Sequence, residues 1–248
     1  MNNKKIALVT GGIGGIGTEI CKHLAQQGRL VIATHLPVEE NIARAWQESQ
    51  KQTGYDIELA AVDVGSFKSC AAMAQAIAER FGHISILVNC AGITRDIPLR
   101  KMEESEWSSV LSTNLDSVFN VTRQVINDML TDGFGRIVNI SSVNAQKGQF
   151  GQTNYSAAKA GMHGFTKALA QEVAKKGVTV NTVSPGYIAT NLMNAIPEEI
   201  LDKIISAIPV GRLGRPDEIA RAVAFLCDDK SSFITGSDLS VNGGLYMH

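Results

Sequence analysis

Seven short runs rich in apolar and β-branched residues recur along the chain: Ile6–Val9, Leu30–Thr34, Ile57–Val62, Ile84–Val88, Arg136–Ile140, Val178–Val183 and Asp238–Val241. Most are apolar at consecutive positions, as strands covered on both faces are; a half-exposed strand alternates instead. Between the runs the period changes. Phe67, Cys70, Ala74, Ile77 and Phe81 advance by steps of three and four, the spacing of one helix face. Leu115, Val118, Thr122, Val125 and Met129 do the same, as do Ala158, Met162, Phe165, Leu169 and Val173. Strands alternating with helices of this length join as right-handed βαβ units. The pattern therefore predicts an α/β fold: a single doubly wound Rossmann-type domain over residues 1–248, its seven-stranded parallel sheet covered by helices on both faces. Ligands of such sheets bind at the carboxyl ends of the strands, so chemistry is expected just after each run.

Composition narrows the function classes. The chain has 248 residues, long enough to bury about three quarters of its unfolded surface without a disulfide or metal staple. A hydrophobic fraction of 44% and a mean hydropathy of +0.03 exclude a disordered chain. With 23 basic and 24 acidic side chains the net charge is −1, which argues against a dedicated binder of nucleic acid or acidic membrane. Cys21, Cys70, Cys90 and Cys227 lie far apart and form no metal-ligand spacing, so no metal is expected and the thiols read as reduced, in a cytoplasmic protein. The apolar run after Lys4-Lys5 is only four residues, too short for a signal peptide core. The longest uncharged stretch, Gly177 to Pro197, contains Asn, Thr, Ser, Pro and Gly throughout and predicts no membrane span. The 23 glycines show no three-residue repeat, so they mark tight turns or close backbone approaches.

The first run ends in Thr10-Gly11-Gly12-Ile13-Gly14-Gly15-Ile16-Gly17 and passes straight into a helical pattern. Glycines there allow a tight turn whose backbone N–H groups, with a helix N-terminus, face a pyrophosphate. Tyr155 and Lys159 are four residues apart and share a helix face. An ammonium beside a phenol stabilises the phenolate, so Lys159 is expected to lower the Tyr155 pKa and fit it for proton transfer. A serine at the end of the fifth run can hydrogen-bond a substrate oxygen as charge develops on it. Ser141 and Ser142 are both placed for this, and alternation does not choose between them. The end of the second run, Ala33-Thr34-His35-Leu36, has no acidic residue before Glu39. A carboxylate there would hold a ribose 2′-hydroxyl, so its absence favours NADP(H) over NAD(H). Arg44 and His35 are the candidates to meet the 2′-phosphate.

These motifs resemble those of the short-chain dehydrogenase/reductase family, and the resemblance runs the length of the chain. It comprises the TGxxxGxG spacing, Asn89-Cys90-Ala91-Gly92 with Cys90 in place of a second asparagine, Asn114, the Ser142…Tyr155…Lys159 set and Pro185-Gly186. The resemblance implies that Ser142, not Ser141, orients a carbonyl, that Tyr155 is the general acid, and that Lys159 tunes it and holds the nicotinamide ribose. It implies that Asn114 anchors a proton-relaying water. It assigns to the dinucleotide Gly11, Gly15, Ile16, Gly17, Asp63, Val64, Asn89, Ala91, Gly92, Tyr155, Lys159, Pro185, Gly186, Ile188 and Thr190. Asp63 would meet the adenine, and Thr190 the carboxamide unless it caps the segment that follows.

The segment from Gln149 to Ser156, with Ile93-Thr94-Arg95-Asp96 and the stretch from Ser184 to Thr190, is similar to bacterial acetoacetyl-CoA reductases, which feed polyhydroxybutyrate synthesis. That similarity implies NADPH-dependent reduction of acetoacetyl-CoA, an acyl-CoA thioester, to 3-hydroxybutyryl-CoA. Asp96, Gln149, Phe150, Gln152 and Tyr187 would line the acetoacetyl end. Arg95, Arg100, Lys101 and Lys147 could supply a basic rim for the coenzyme A phosphates. The family usually forms homotetramers through the helices holding Leu115–Met129 and Tyr155–Lys175 and the last strand. A 3-oxoacyl-acyl-carrier-protein reductase shares all but the substrate loop. A non-catalytic nucleotide-binding regulator would have no physical need for Asn114, Ser142, Tyr155 and Lys159 together.

Overall fold

The structure, a computed structural model, describes residues 4–190 and 197–247. Residues 1–3, at the start of the N-terminal segment read above, and residues 191–196, which follow Thr190, lie outside it. Seven strands form one sheet: β1 (Ile6–Val9), β2 (Leu30–His35), β3 (Ile57–Ala61), β4 (Ile84–Asn89), β5 (Gly135–Ile140), β6 (Val178–Pro185) and β7 (Asp238–Val241). All pairings are parallel and the order is β3-β2-β1-β4-β5-β6-β7. The order reverses between β1 and β4, so a crevice opens there at the carboxyl ends of the strands.

The expected runs recur with shifted ends. β4 includes Asn89 and β6 reaches Pro185, because Asn89 pairs with Asn139 and Pro185 with Val241. Ladder pairing ignores side-chain polarity, so a run defined by apolar residues stops short. β3 ends at Ala61, which leaves Asp63 in the turn beyond the strand.

The sheet is covered as its pleat dictates. Ile6 and Leu8 of β1 face one cluster, filled from α3 (Phe67–Phe81), α5 (Ser117–Asp132) and α7 (Thr153–Val173). Ala7 and Val9 face the other, filled from α1 (Gly15–Gln26) and α9 (Pro216–Leu226), with Trp46 of α2 (Glu40–Gln52) at its margin. The remaining helices are α4 (Glu104–Leu111), α6 (Val143–Lys147) and α8 (Glu198–Ala207). No helix among the described residues is long and apolar enough to cross a membrane.

All three helix stripes need correction. In α3 Met73 is buried with Cys70 and Ile77, while Phe67 is 47% exposed. Leu115 lies in a π turn, Ser112–Asp116, between α4 and α5. In α7 the buried row is Ala158, Met162, Thr166, Ala170 and Val173, while Phe165 and Leu169 are only partly covered. An apolar template misses Thr166 because a polar network buries it. Asn89 Nδ2 donates to Asn139 Oδ1 at 2.8 Å and Thr122 Oγ1 at 3.3 Å, and Asn139 Nδ2 donates to Thr166 Oγ1 at 2.8 Å. Thr182 Oγ1 donates to Thr166 Oγ1 at 2.9 Å. This chain ties β4, β5 and β6 to α5 and α7. Removing a partner from such a site leaves buried donors unsatisfied. Asn139→Ala is expected to cost about 2 kcal/mol of unfolding free energy in urea titrations; a loss under about 0.5 kcal/mol would contradict this role.

Candidate active site

The turn after β1 is built by close backbone packing. Thr10 Oγ1 accepts from the N–H groups of Cys90 (2.9 Å) and Ala91 (3.0 Å), which clamps the β1 and β4 ends together. Gly11 has φ +62, and a Cβ there would lie 3.0 Å from Ala91 Cα. A Cβ on Gly12 would lie 2.6 Å from Ala33 Cβ, and one on Gly17 would strike the Gly11 carbonyl oxygen. Gly14 precedes α1 without a side-chain cap, so the first N–H groups of the helix are open to an anion. A Cβ on Gly15 would touch Thr190 Cγ2 at 3.0 Å, which sets Thr190 beside the same turn. Ile16 flanks it at the helix start. The residues present fit a dinucleotide pyrophosphate.

Asn114, Gly92 and Lys159 meet at the end of β4. A Cβ on Gly92 would be 2.5 Å from Asn114 Oδ1 and 3.4 Å from Lys159 Nζ. Asn114 is fully buried. Its Nδ2 donates to the carbonyls of Val110 and Ile93, both at 2.9 Å, and its Oδ1 accepts from Ile93 N–H at 3.2 Å. The side chain thus ties the end of α4 to the β4 loop, with both Nδ2 hydrogens and one Oδ1 lone pair engaged.

Ser142 and Ser141 point to opposite sides of the end of β5. Ser142 Oγ hydrogen-bonds Tyr155 and accepts from Asn144 N–H at 3.1 Å as the cap of α6. Ser141 Oγ instead donates to the Lys159 backbone carbonyl at 3.0 Å. Geometry and resemblance agree on Ser142. Asn144 Nδ2 donates to Gln152 Oε1 at 2.9 Å, and Gln152 Nε2 donates to Asp96 Oδ2 at 2.8 Å. A continuous chain therefore runs from Asp96 to Tyr155.

Lys159 is buried, and its Nζ donates to the Ile140 carbonyl at 2.7 Å. Burial pushes its pKa down to about 8, with the Cys90 thiol a weaker opposing influence. A weaker contact runs from Nζ to Met162 Sδ at 4.0 Å, and the remaining ammonium hydrogen is open to another acceptor, which fits a ribose hydroxyl. The expected lowering of the Tyr155 pKa is not found. Burial pushes the phenol up to about 12, outweighing the Ser142 hydrogen bond, and the Asp96 carboxylate pushes the same way. The Lys159 amine sits 5.7 Å from the Tyr155 ring centroid and turns to Ile140.

The other expected residues divide. Asp63 is exposed and its Oδ1 accepts from Gly65 N–H at 3.0 Å; Val64 is buried and its carbonyl accepts from Asn120 Nδ2 at 3.0 Å. The Asn89 amide belongs to the buried network, so its side chain does not face the crevice. Gly186 is packed so that a Cβ would lie 2.8 Å from Asn242 Cα, next to Pro185 at the end of β6. Ile188 has its side chain in the core. Its neighbours Tyr187 and Ala189 pair with Gly214, which turns the Ile188 N–H and C=O the other way, where they can meet a carboxamide. Gln149 is exposed and accepts from Lys147 Nζ at 2.9 Å, Phe150 is 85% exposed, and burial raises the Tyr187 pKa, with the nearby Asp96 carboxylate adding to it.

The basic groups expected at the 2′-position are engaged. Arg44 Nη2 lies 2.6 Å from Glu40 Oε1, and buried His35 lies 3.4 Å from Glu40 Oε2. Thr10, Gly12, Asn144 and Glu40 are the site residues that sequence reasoning missed. Gly12 stood within the glycine motif, and Asn144 within the loop after Ser142, but their contacts cross between elements.

Two kinds of comparison bear on the site. The family model described as enoyl-(acyl carrier protein) reductase matches residues 11–246. The chain is 58% identical over 244 residues to an acetoacetyl-CoA reductase of Allochromatium vinosum, covering 98% of this chain and 99% of that one. It is 55% identical over 244 residues to the acetoacetyl-CoA reductase of Cupriavidus necator, with the same coverage of 98% and 99%. It is 45% identical over 243 residues to the 3-oxoacyl-acyl-carrier-protein reductase of Escherichia coli, covering 98% of each.

The buried amine provides a direct check on this geometry. In carbon-labelled protein followed by NMR, the Lys159 side chain is expected to titrate near pH about 8, where burial places it. A midpoint above about 10, the value of a free lysine, would show that the amine is solvated.

Proposed function

Because the chain belongs to the short-chain dehydrogenase/reductase family, we propose that it reduces acetoacetyl-CoA to 3-hydroxybutyryl-CoA with a nicotinamide cofactor. The observation that carries the chemistry is the Ser142–Tyr155–Lys159 group, gathered from β5 and α7 at the crevice. The name shared by the relatives at 58% and 55% identity supports the substrate.

When bound, the nicotinamide supplies a hydride to the ketone carbon. Tyr155 supplies the proton. Its raised pKa keeps the phenol protonated throughout the working range, as a proton donor requires. Asn144 N–H occupies a lone pair of Ser142 Oγ, which leaves the Ser142 hydrogen to be shared between the Tyr155 oxygen and a substrate oxygen placed beside it. Lys159 keeps a hydrogen beyond those directed to Ile140 and Met162 for a ribose hydroxyl. Its positive charge, present below its pKa, is held at the Ile140 carbonyl beside the crevice, where negative charge develops as the proton departs. Asn114 holds the backbone at the place where a relay to Lys159 would begin. Gly11, Gly15, Gly17 and the N-terminus of α1 would hold the pyrophosphate.

The finer reading is NADPH, supported by the uncharged end of β2 and opposed by Glu40, which holds Arg44. Asp96, Gln152 and Tyr187 support recognition of a short β-ketoacyl end, and Arg95, Arg100, Lys101 and Lys147 of coenzyme A phosphates. The stacked Phe67–Phe119 pair, both half exposed, and Trp107 support self-association along α3 to α5 into the family's homotetramer. Four free thiols among the described residues support a cytoplasmic location. The relative at 45% identity makes 3-oxoacyl-acyl-carrier-protein reduction the second reading.

NADPH and NADH oxidation followed with acetoacetyl-CoA and with an acetoacetyl carrier protein tests both choices. The expected order is coenzyme A thioester over carrier protein and NADPH over NADH; either reversal replaces that part of the reading. Tyr155→Phe is expected to lose at least about 100-fold in kcat while still binding cofactor. Turnover near the wild-type rate would remove the mechanism. For the reduction, kcat/KM should fall as pH rises through about 8, because Lys159 loses its charge there. A flat profile to pH about 10 would contradict this role for the lysine.

A further inference from the structure

Behind the proposed catalytic group lies a second polar cluster, made by α7, β5, β6, β7 and α6. His163 stands one helical turn after Lys159. Its Nε2 is 2.8 Å from Ser141 Oγ and 3.5 Å from Ser184 Oγ, and its Nδ1 is 3.8 Å from Asp238 Oδ2. Ser141 Oγ lies 3.0 Å from the Lys159 carbonyl oxygen, and Ser184 Oγ lies 2.7 Å from Asp238 Oδ1. Gln146 Nε2 donates to Asp238 Oδ2 at 2.7 Å and to Ser240 Oγ at 3.0 Å.

The hydrogens in this cluster can be placed by elimination. A carbonyl oxygen and a carboxylate carry no hydrogen, so each serine must direct its single hydroxyl hydrogen to the oxygen beside it. Ser141 donates to Lys159 and Ser184 donates to Asp238. Both hydroxyls are then acceptors toward His163, and its Nε2 must carry the hydrogen. Asp238 already accepts from Ser184 and Gln146. Desolvation lowers the His163 pKa, Lys167 lowers it further and Asp238 opposes both. The Nε2 hydrogen is present in the neutral and the charged ring alike. A nucleophilic Ser–His–Asp arrangement is excluded, because the Ser141 hydrogen points to Lys159 and the imidazole nitrogen facing Ser141 is a donor.

We infer that His163 is a positioning residue: through Ser141 it fixes the end of β5, which carries Ser142, against the turn of α7 that carries Tyr155 and Lys159. The path is His163 Nε2–H to Ser141 Oγ, then Ser141 O–H to the Lys159 carbonyl. Ser141 is adjacent to Ser142 in the chain, so the relay sets how far Ser142 stands from Tyr155. This rests on the reading of Ser142, Tyr155 and Lys159 as the reacting group. That reading is tested separately by Tyr155→Phe.

The test compares His163→Leu, which keeps bulk and removes the donor, with His163→Gln, which keeps an N–H at similar reach. Ser141→Ala and the double variant Ser141→Ala/His163→Leu complete the set. His163→Leu is expected to lower kcat roughly 10- to 100-fold, the scale of a small misplacement of reacting groups, with KM for cofactor within about two-fold. His163→Gln should restore kcat to within about three-fold of wild type, and Ser141→Ala should match His163→Leu with no further loss in the double variant. NMR of the ring nitrogens should show hydrogen on Nε2 at neutral pH. If His163→Leu does not fold, Ser141→Ala breaks the same relay and must show the kcat loss by itself. Wild-type kcat in Ser141→Ala, equal activity of the Leu and Gln variants, fully additive losses, or hydrogen on Nδ1 would each overturn the inference.

Discussion

The buried amine of Lys159 is the constraint around which the site is arranged. A lysine taken out of water loses hydration that only hydrogen bonds or opposite charge can replace. Among the described residues its acceptors are the Ile140 carbonyl, at the carboxyl end of β5, and more weakly Met162 Sδ, and no carboxylate pairs with it. The charge is therefore held near its protonation limit and left free to act on whatever enters the crevice. The requirement spreads outward. Gly92 must lack a side chain because Asn114 and the amine occupy the space. The β4 end must be clamped by Thr10, and α7 must be held in register with β5.

That last condition explains why so much polar chemistry is buried around α7. On one side the chain Asp96–Gln152–Asn144–Ser142 reaches Tyr155. On the other, Asp238, Ser184 and His163 surround Ser141. Below them Asn89, Asn139, Thr166 and Thr182 bind the strands to the helix. Polar networks of this kind fix an arrangement where their members are paired, and Asn144 Oδ1 is buried without a protein partner among the described residues. Asp96 and Gln152, expected to touch substrate, already hold each other and Asn144. Substrate recognition and orientation of the proton donor therefore share residues.

The sequence made the period of each element legible, and with it the α/β architecture, the strand ends where chemistry gathers and the shared face of Tyr155 and Lys159. Those are properties of residues on one element. Pairings between elements were not legible. Ser141 and Ser142 are indistinguishable until α7 is placed beside β5. Thr166 is read as a gap in an apolar stripe until Asn139 is seen opposite it. Arg44 is a phosphate ligand on paper, and Glu40 holds it in the fold. The phenol of Tyr155 was expected to be lowered by its neighbour; instead burial raises it, because an i,i+4 spacing brings two side chains together without aiming the amine at the hydroxyl.

The central claim is that the Ser142–Tyr155–Lys159 group directs a hydride to the ketone carbon of acetoacetyl-CoA and a proton to its oxygen. Cofactor deuterated at the transferring position of its nicotinamide, with product analysed by mass spectrometry and NMR, tests this most directly. The account predicts one deuterium at C3 of 3-hydroxybutyryl-CoA in a single configuration. Product without deuterium at C3, or with it scrambled between configurations, would contradict it.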